Sequence, residues 1–473
     1  MRQQAISRRL RSLAIALVAC VVSAGSGLAE GLSTRPLAPN GTLPGALAQA
    51  YHNNPQLNAE RALLRSIDET VPQALSGYRP QISASADTGV LHTRTESVGG
   101  GVFESTTAPY GFGLTGTQVL FNGLRTANRT RAAESQVFAG REALRLIEQQ
   151  VLLDAATAYV NVLRDIGILD LQRRNVEVLE EQLRQTRDRF NVGEVTRTDV
   201  AQGESRLAAS RSAFLGAEAN LSFSRATYRR IIGVEPGRLV PAMPVERFSP
   251  NTLSAAITAA LGQNPQVQAA AYGIDVQSLQ VKIAEGALYP TLAVQGNLQQ
   301  RFDTSVGVKS NFAASAVAQL VIPIYQGGGE YSLIRQLKET VGQRRFDLET
   351  LRDQVRALVV QAWGSLQAAK AQIQAAHAQV SASEVALDGV RQEARVGQRT
   401  TLDVLNAQQE LVNARVNLVI AQRDRIVASY LLLAGVGRLS AKVLGLKVHI
   451  YDPVIHYHQV RDAWSGVRIP DGR

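Results

Sequence analysis

The sequence predicts an α+β membrane protein made of two tandem copies of one large unit, each with β-hairpin strands joined to long coiled-coil helices. Three observations lead to this fold class. Short motifs recur at a nearly constant separation, two regions alternate apolar and polar residues, and long proline-free segments carry apolar residues seven apart.

The repeat consists of several matching motifs. Asn54-Pro55-Gln56 recurs 210 positions later as Asn264-Pro265-Gln266, and Pro80 recurs at the same separation as Pro290. Further along, the separation is 204 for four more pairs: Phe121-Asn122-Gly123 with Tyr325-Gln326-Gly327, Val192-Gly193-Glu194 with Val396-Gly397-Gln398, Thr198-Asp199-Val200 with Leu402-Asp403-Val404, and Gly233 with Gly437. Because loops tolerate changes in length, the segment between Pro80 and Phe121 is expected to contain an exposed loop. The period is too long for a solenoid, which indicates a tandem duplication.

The N-terminal residues predict export from the cytoplasm. Residues 1–29 combine a basic start, an apolar run over 13–22 and small residues at Gly27 and Ala29, which is typical of a cleaved secretory signal. The segment Leu17-Val18-Ala19-Cys20 leaves a lipoprotein signal open as the alternative. Cys20 is the only cysteine, so neither a disulfide nor thiol chemistry is expected once the signal is removed.

The net charge of +10 does not indicate nucleic-acid binding. Four arginines lie in the predicted signal, and a chain without them carries +6. The other basic residues alternate with acidic ones along helical stretches, as in Arg184, Arg187, Asp188 and Arg189. This alternation is typical of a solvated helix face, so nucleic acid is not expected as a partner.

Alternating polarity predicts strands that face lipid on one side. Apolar residues occupy every second position in four segments: Ile82, Ala84, Ala86, Thr88 and Val90; Tyr110, Phe112 and Leu114; Leu292, Val294, Gly296 and Leu298; and Phe312, Ala314, Ala316, Ala318, Leu320 and Ile322. Small or polar residues lie between them, as in membrane barrel strands. The glycine- and serine-containing segments 97–101 and 305–307 would close the hairpins. Hairpins on a soluble sandwich are the alternative, but helices attached to both ends of each hairpin disfavour it.

The four predicted strands indicate self-assembly. Membrane barrels need eight or more strands, because an open edge in lipid leaves backbone groups unpaired. Three chains related by cyclic symmetry give twelve strands, whereas two chains give only eight and a lumen filled by side chains. A homotrimer is therefore expected.

The remaining segments predict helical rods. No proline occurs between Gly329 and Pro453. Apolar residues are spaced by sevens in Val341, Leu348 and Val355 and again in Leu366, Ile373, Val380 and Leu387. Segment 125–190 also lacks proline, and about 65 helical residues would span roughly 100 Å. A generic coiled coil is the alternative for either segment taken alone.

In combination, these motifs resemble the TolC family of outer-membrane efflux proteins over essentially the whole chain after the signal. The resemblance rests on the two proline-initiated hairpins, the Phe121-Asn122-Gly123 strand exit, and the turn motifs Phe190-Asn191-Val192-Gly193 and Arg395-Val396-Gly397-Gln398-Arg399-Thr400. It implies a homotrimer whose β-barrel of twelve strands lies in the outer membrane of a Gram-negative bacterium. A periplasmic α-helical tunnel would continue the barrel, inside a mixed equatorial domain. It also implies a passive exit duct that docks onto a periplasmic adaptor protein and an inner-membrane pump.

The resemblance assigns each part of the chain to a domain. Residues 30–50, 233–252 and 438–473 are expected in the equatorial domain. Residues 51–79, 125–232, 253–288 and 329–437 are expected in the tunnel, and residues 80–121 and 289–325 in the barrel hairpins. The helix–strand transitions would lie at Pro80, Pro290, Gly123 and Gly327.

The resemblance also implies a gate on the two periplasmic turns. Asp403 and Asn406, three residues apart on one helical face, would line the pore constriction. Arg399, Thr198 and Asp199 would tie neighbouring hairpins together. The adaptor would dock on the exposed turn residues, which are Val192, Gly193, Val396 and Gly397.

The same acidic residues have an alternative interpretation as helix caps. Thr196 and Thr400 each lie three residues before an aspartate, Asp199 and Asp403, as in a capping box. The chain also departs from the family pattern twice. Asn406 stands where the family commonly has aspartate, and Ala394 stands where it usually has the tyrosine that pairs with Asp199.

No residue pattern indicates an enzyme, a cofactor or a metal site. Gly327-Gly328-Gly329 lacks the Lys and Ser/Thr of a phosphate-binding loop. The spacing of His449, His456 and His458 matches no recognised ligand set. The competing function is a periplasmic adaptor or structural coiled coil without a pore, which the duplicated hairpins disfavour. Drug efflux and protein secretion are both compatible with the sequence.

Overall fold

The computed structural model describes residues 41–470, and its helices and strands lie in one compact unit, Leu37–Ser465. The predicted signal, residues 1–29, lies outside the described residues, as do residues 30–40 and 471–473 of the predicted equatorial domain. In the part that the structure describes, no helix combines the length and the hydrophobicity that crossing a bilayer requires.

The first half of the described chain leads from short helices through strands into two long helices. Its elements are α1 (Leu43–Asn53), α2 (Pro55–Asp68), α3 (Thr70–Leu75), a 3-10 turn (Ser76–Tyr78), β1 (Gln81–Thr88), β2 (Leu91–Glu96), β3 (Val102–Thr107), β4 (Tyr110–Asn122), α4 (Arg125–Asn191) and α5 (Arg197–Ile232). Helix α4 has 67 residues and is therefore about 100 Å long, which confirms the predicted rod. The predicted domain boundary after residue 50 falls inside α1.

The second half follows nearly the same order. After a 3-10 turn (Glu246–Phe248) come α6 (Leu253–Gln263), α7 (Pro265–Glu285), a 3-10 turn (Gly286–Leu288), β5 (Thr291–Ser305), β6 (Val308–Val321), α8 (Gly329–Arg395), α9 (Thr401–Gly435) and α10 (Pro453–Val460). Helix α8 has 67 residues, the same number as α4. The matching lengths follow from the constant separation of the repeated turn motifs.

Four strands form one antiparallel sheet in the order β1-β4-β5-β6, and β2 and β3 form a separate two-stranded sheet. One row of the larger sheet pairs Ala84, Leu114, Leu298 and Ala314, and the adjacent row pairs Ser85, Gly113, Gln299 and Ala313. Successive rows point to opposite faces of a sheet. The register therefore confirms the predicted alternation, because the mainly apolar positions share one face.

Two predicted strand positions are wrong, and a proline explains each. Val90 lies between β1 and β2, where Pro109 on the opposite side has no N–H to continue the ladder and only accepts a 2.9 Å bond from Gly89. Ile322 lies just beyond the end of β6, since Pro323 follows it and cannot extend the strand. The predicted tips at 97–101 and 305–307 do connect β2 to β3 and β5 to β6.

The repeated Asn-Pro-Gln motif forms a joint between helices. Asn54 precedes α2, and its Oδ1 accepts hydrogen bonds from the backbone N–H of Gln56 at 2.9 Å and of Leu57 at 3.2 Å. Its Nδ2 donates to the carbonyl oxygen of Ile231 at 3.1 Å. One buried side chain thus caps the start of α2 and binds the end of α5.

Asn264 repeats this arrangement in the second half. Its Oδ1 accepts from the N–H of Gln266 at 2.9 Å, and its Nδ2 donates to the carbonyl oxygen of Gly435 at 3.0 Å. Pro265 occupies the first position of α7, where a helix needs no N–H donor. Both halves therefore fasten the end of the returning long helix to the cap of a shorter one.

The repeated glycines Gly233 and Gly437 lie against these joints. Both have a left-handed backbone, with φ of 88° and 86°. At Gly437 a side chain would come within 2.7 Å of backbone atoms of Gln263 and Asn264, so the close approach excludes any larger residue. The two glycines recur because the same junction recurs.

The largest core cluster lies where α1 packs against α4, α5 and α9. Its most deeply buried members include Leu47, Leu152, Tyr159, Tyr228 and Leu433. The Tyr159 hydroxyl accepts a hydrogen bond from the N–H of Val240 at 3.1 Å and lies 2.7 Å from the carbonyl oxygen of Gly41. The core thus fixes the segment after α5 and the segment before α1 onto the middle of a long helix.

We expect Asn264→Ala to destabilise the protein by about 2–3 kcal/mol, because it removes a helix cap and leaves the buried Gly435 carbonyl without a donor. Asn264→Asp keeps the capping oxygen but places a second carboxylate oxygen against the Gly435 carbonyl at a buried position, so it should not restore the wild-type stability. Thermal unfolding of the detergent-extracted protein, followed by circular dichroism, measures both.

The matched control is Gln268→Ala, which removes an exposed hydrogen bond from a side chain of α7 to the Gly262 carbonyl of α6. It should change stability by less than about 0.5 kcal/mol. Equal melting of Asn264→Ala and Gln268→Ala would contradict the role of the joint.

Candidate functional site

In each half, one tight turn joins the two long helices, and each of these turns depends on one glycine. Helices α4 and α8 end at Asn191 and Arg395, and Gly193 and Gly397 follow with φ of 82° and 79°. Open space surrounds the position of a side chain at both glycines, so the positive φ alone selects the residue type. The left-handed residue reverses the chain within a few positions.

The turns present apolar side chains outward. Val192 and Val396 precede the two glycines, and each is 72% exposed. The two valines and the two glycines are the residues predicted to contact an adaptor, and the valines project from the tips of both hairpins. Exposed valines at equivalent turns give the two tips similar surfaces.

The two aspartates that follow the turns, Asp199 and Asp403, cap helices. The Oδ2 atom of Asp403 accepts hydrogen bonds from the backbone N–H of Thr400 at 3.0 Å and from its hydroxyl at 2.9 Å. The N–H of Asp403 in turn donates to the Thr400 hydroxyl at 3.2 Å. Thr196 and Asp199 form the same box at the start of α5. The capping interpretation is thus confirmed at both positions.

Capping keeps Asp403 ionised. The N–H of Thr400 lowers the pKa of the Asp403 carboxyl, and the Thr400 hydroxyl and the nearby Arg399 lower it further. Asp403 therefore carries a full negative charge at neutral pH on the first turn of α9. A capped aspartate remains available as a pore charge, because both capping bonds use only Oδ2.

The residues predicted as ties do not meet within one chain. Arg399 donates from Nε to Oε2 of Glu393 at 2.8 Å, in the same hairpin. Thr198 and Asp199 lie at the other turn, where Asp199 is bonded to Thr196. Ala394, which stands where the family has tyrosine, packs partly buried against the apolar cluster of its own hairpin.

Asn406 has a partner that sequence reasoning missed. Its Oδ1 accepts a hydrogen bond from Nη2 of Arg206 at 2.6 Å, and Arg206 belongs to α5 in the other hairpin. Arg206 lies seven residues after Asp199, two turns along the same helical face. That spacing is the local signal that would have placed Arg206 near the predicted gate.

Three of the four predicted helix–strand transitions, Pro80, Pro290 and Gly123, directly adjoin a strand, whereas Gly327 lies beyond the end of β6 at Val321 and just before α8. Pro80 and Pro290 each follow a 3-10 turn and immediately precede β1 and β5. Gly123 has φ of 66°, and a side chain there would overlap the carbonyl oxygen of Gly286. Gly327 has φ of 76° and open space around it, so only its backbone angle favours glycine.

Two of the C-terminal histidines contact other side chains of the same chain. His456 Nδ1 lies 3.0 Å from Oδ2 of the fully buried Asp68, whose pKa is raised by burial and lowered in part by the histidine. The ring of His458 packs edge-on against Tyr457. Within residues 41–470, no three His, Cys, Asp or Glu side chains come together in an arrangement that would hold a metal ion.

Comparison with known proteins gives concordant matches. A family model described as outer membrane efflux protein matches residues 46–234 and again residues 256–438. The chain is 41% identical over 455 residues to the outer membrane efflux protein BepC of Brucella suis biovar 1 (strain 1330), which covers 96% of this chain and 98% of BepC. It is 29% identical over 399 residues to the outer membrane protein TolC of Escherichia coli (strain K12), covering 79% of each chain.

A solved structure shares the fold. The crystal structure of the Campylobacter jejuni CmeC outer membrane channel superposes with a TM-score of 0.76 and 16% sequence identity, covering 89% of each chain. At that identity the likeness concerns the fold alone.

We expect Thr400→Ala to loosen the first turn of α9, because it removes the hydroxyl that both donates to and accepts from Asp403. Amide hydrogen exchange over residues 402–405 should accelerate by about fivefold, the factor that a lost N-cap contributes. Since the pKa of Asp403 is lowered, the contribution of its carboxylate should be complete at neutral pH and lost as the pH falls through that lowered value. Thr401→Ala, which removes a hydroxyl one position later without a capping role, is the control, and equal exchange in both variants would contradict the prediction.

Proposed function

This chain belongs to the outer membrane efflux protein family, and from that membership we propose that three copies form a continuous passive duct through the outer membrane and across the periplasm. The protein is an outer-membrane exit channel with a large periplasmic portion. The alternative of an adaptor or coiled coil without a pore does not agree with the family.

The unpaired edges of the sheet support the trimer. In the order β1-β4-β5-β6, strands β1 and β6 lie at the two edges, and within the described chain no strand pairs with their outer sides. Exposed backbone N–H and C=O groups are costly in a bilayer. Pairing β6 of each copy with β1 of the next satisfies these groups, and three copies close a ring of twelve strands.

The organisation of the chain supports an origin by tandem duplication. The element order repeats, both halves contain a 67-residue helix, and the family model matches twice. In this proposal segments 51–79, 125–232, 253–288 and 329–437 form the periplasmic tunnel. Segments 80–121 and 289–325 form the barrel, and segments 30–50, 233–252 and 438–473 form the equatorial domain.

The partners follow from the family. A duct that ends in the periplasm needs an energised pump, and we place a periplasmic adaptor protein and an inner-membrane pump at the two hairpin tips. The tips carry Val192, Gly193, Val396 and Gly397, whose exposed valines offer an apolar contact. The channel serves a tripartite efflux pump, a type I secretion system, or both, because the duct is common to these machines.

The gate of the duct is proposed at the first turn of α9. Asp403 and Asn406 line the constriction, so each chain contributes one carboxylate and one neutral amide. Arg399 of one copy ties to Thr198 and Asp199 of a neighbouring copy, since within a single chain these residues do not meet. Three carboxylates on a narrow ring attract cations.

Surface labelling tests the orientation and assembly. Gly100→Cys, at the tip between β2 and β3, should react with a membrane-impermeant thiol reagent on intact cells, whereas Gly397→Cys should not. The extracted protein should run as a trimer by light scattering. Labelling at Gly397→Cys alone would reverse the orientation, and a stable monomer in the outer-membrane fraction would reject the closed ring.

Single-channel recording in planar bilayers tests the gate. Arg399→Ser should raise the mean conductance about twofold or more, because a lost tie lets the inner helices move apart. Asp403→Asn should weaken block by trivalent cations by about tenfold with little change in conductance, because it removes the charge and keeps an oxygen that can accept the capping bonds. In the wild type, block should persist in mildly acidic solution, since the pKa of Asp403 is lowered.

Glu393→Gln is the matched control for Arg399→Ser. It breaks the ion pair within the hairpin and leaves the guanidinium in place for a tie to another copy. If both variants raise the conductance equally, the ion pair within one hairpin controls closure and the tie between copies is wrong.

A further inference from the structure

We infer that Arg206, Asn406 and Leu405 form a seam within one chain that holds α9 against the first hairpin at the pore entrance, and that Arg206 also sets the charge of the constriction. This inference rests on the proposed function, which places Asn406 at the constriction. It adds a set of contacts within each subunit that helps to keep the pore entrance closed.

Adjacent residues of α9 pack into different hairpins. Val404 is buried in a cluster with Leu387 and Leu411, all from the second hairpin. Leu405, only 3% exposed, is buried with Leu179, Leu183 and Leu207 of the first hairpin. The start of α9 therefore contacts its own hairpin on one side and the first hairpin on the other, and it cannot move away from α5 without exposing Leu405 to water.

The hydrogen bond from Arg206 to Asn406 borders this apolar contact. Arg206 immediately precedes Leu207 in α5, and Asn406 immediately follows Leu405 in α9. The bond is 2.6 Å long and joins the two hairpins. Other arginines of this region pair within one hairpin: Arg187 with Glu204, Arg211 with Glu180, and Arg415 with Glu384.

At the turn itself, Ala394 packs against the apolar cluster of its own hairpin. The contacts of Leu405 and Arg206 supply a connection between the hairpins a few residues further along, on α9 itself. Opening of the entrance therefore requires the withdrawal of Leu405 and the loss of the Arg206–Asn406 bond.

Arg206 also changes the electrostatics of the constriction. Its partner Asn406 is neutral, and within the described residues no carboxylate forms an ion pair with its guanidinium. Asp403 lies one helical turn before Asn406 on the same face. Each chain thus holds a cation on the residue one turn after Asp403, and this positive charge reduces the attraction of the carboxylate ring for cations without cancelling it.

Planar-bilayer recording of four single variants separates the mechanical from the electrostatic role. Asn406→Leu removes the bond without a change in charge, so the open population should rise by about threefold, the effect of one exposed hydrogen bond, with unchanged ion selectivity. Arg206→Gln should raise the open population similarly and shift the reversal potential in a KCl gradient toward cation selectivity. Arg211→Gln removes an equivalent exposed arginine whose bond stays within one hairpin, and it should change neither property. Asp403→Asn should lower cation selectivity.

The outcomes distinguish the seam from the gate on which it rests. If Asp403→Asn alters selectivity while Arg206→Gln and Asn406→Leu both behave like Arg211→Gln, the seam is wrong and the proposed constriction stands. If Asp403→Asn has no effect, the proposed constriction is wrong, and with it the electrostatic role of Arg206. A shift of selectivity in Asn406→Leu as large as in Arg206→Gln would overturn the assignment of the charge to Arg206. Recovery of each variant as a trimer from the outer membrane excludes misfolding as the cause.

Discussion

The architecture depends on two buried asparagines that each bond to two helices at once. Asn54 and Asn264 cap the helices that follow them, and their amide groups bind the last carbonyls of the long returning helices at Ile231 and Gly435. A helix of about 35 residues acts as a lever, because a small rotation at its base moves its far end by many ångströms. The direction of each hairpin, and hence the position of its tip, is set at these joints.

At the tips, the residues that build local structure also supply the charges. One oxygen of Asp403 accepts the N–H of Thr400 just before α9, and the carboxylate keeps its negative charge because this cap lowers its pKa. In the proposed gate, the cap and the pore charge are therefore compatible roles for this residue. A charge held by backbone donors is also fixed in position, as a constriction requires.

Local patterns in the sequence predicted the repeated rods, the strand faces and the capping boxes, because each is specified by residues close together in the chain. Prolines at 109 and 323 set limits that the alternation of side chains alone did not reveal. The bond between Arg206 and Asn406 joins positions 200 residues apart, and no short-range pattern encodes which helices become neighbours. Such pairings arise only from the packing of whole hairpins.

The two unpaired sheet edges have a genetic consequence in the proposed trimer. Every ring contains three β6–β1 junctions, one between each pair of subunits. A single subunit with a damaged β1 or β6 therefore leaves the ring that incorporates it unclosed. In a cell making normal and damaged chains in equal amounts, random mixing would leave roughly one ring in eight fully normal. Lesions confined to an edge strand are therefore expected to be dominant over the wild-type copy, whereas lesions that prevent export leave normal rings intact and are recessive.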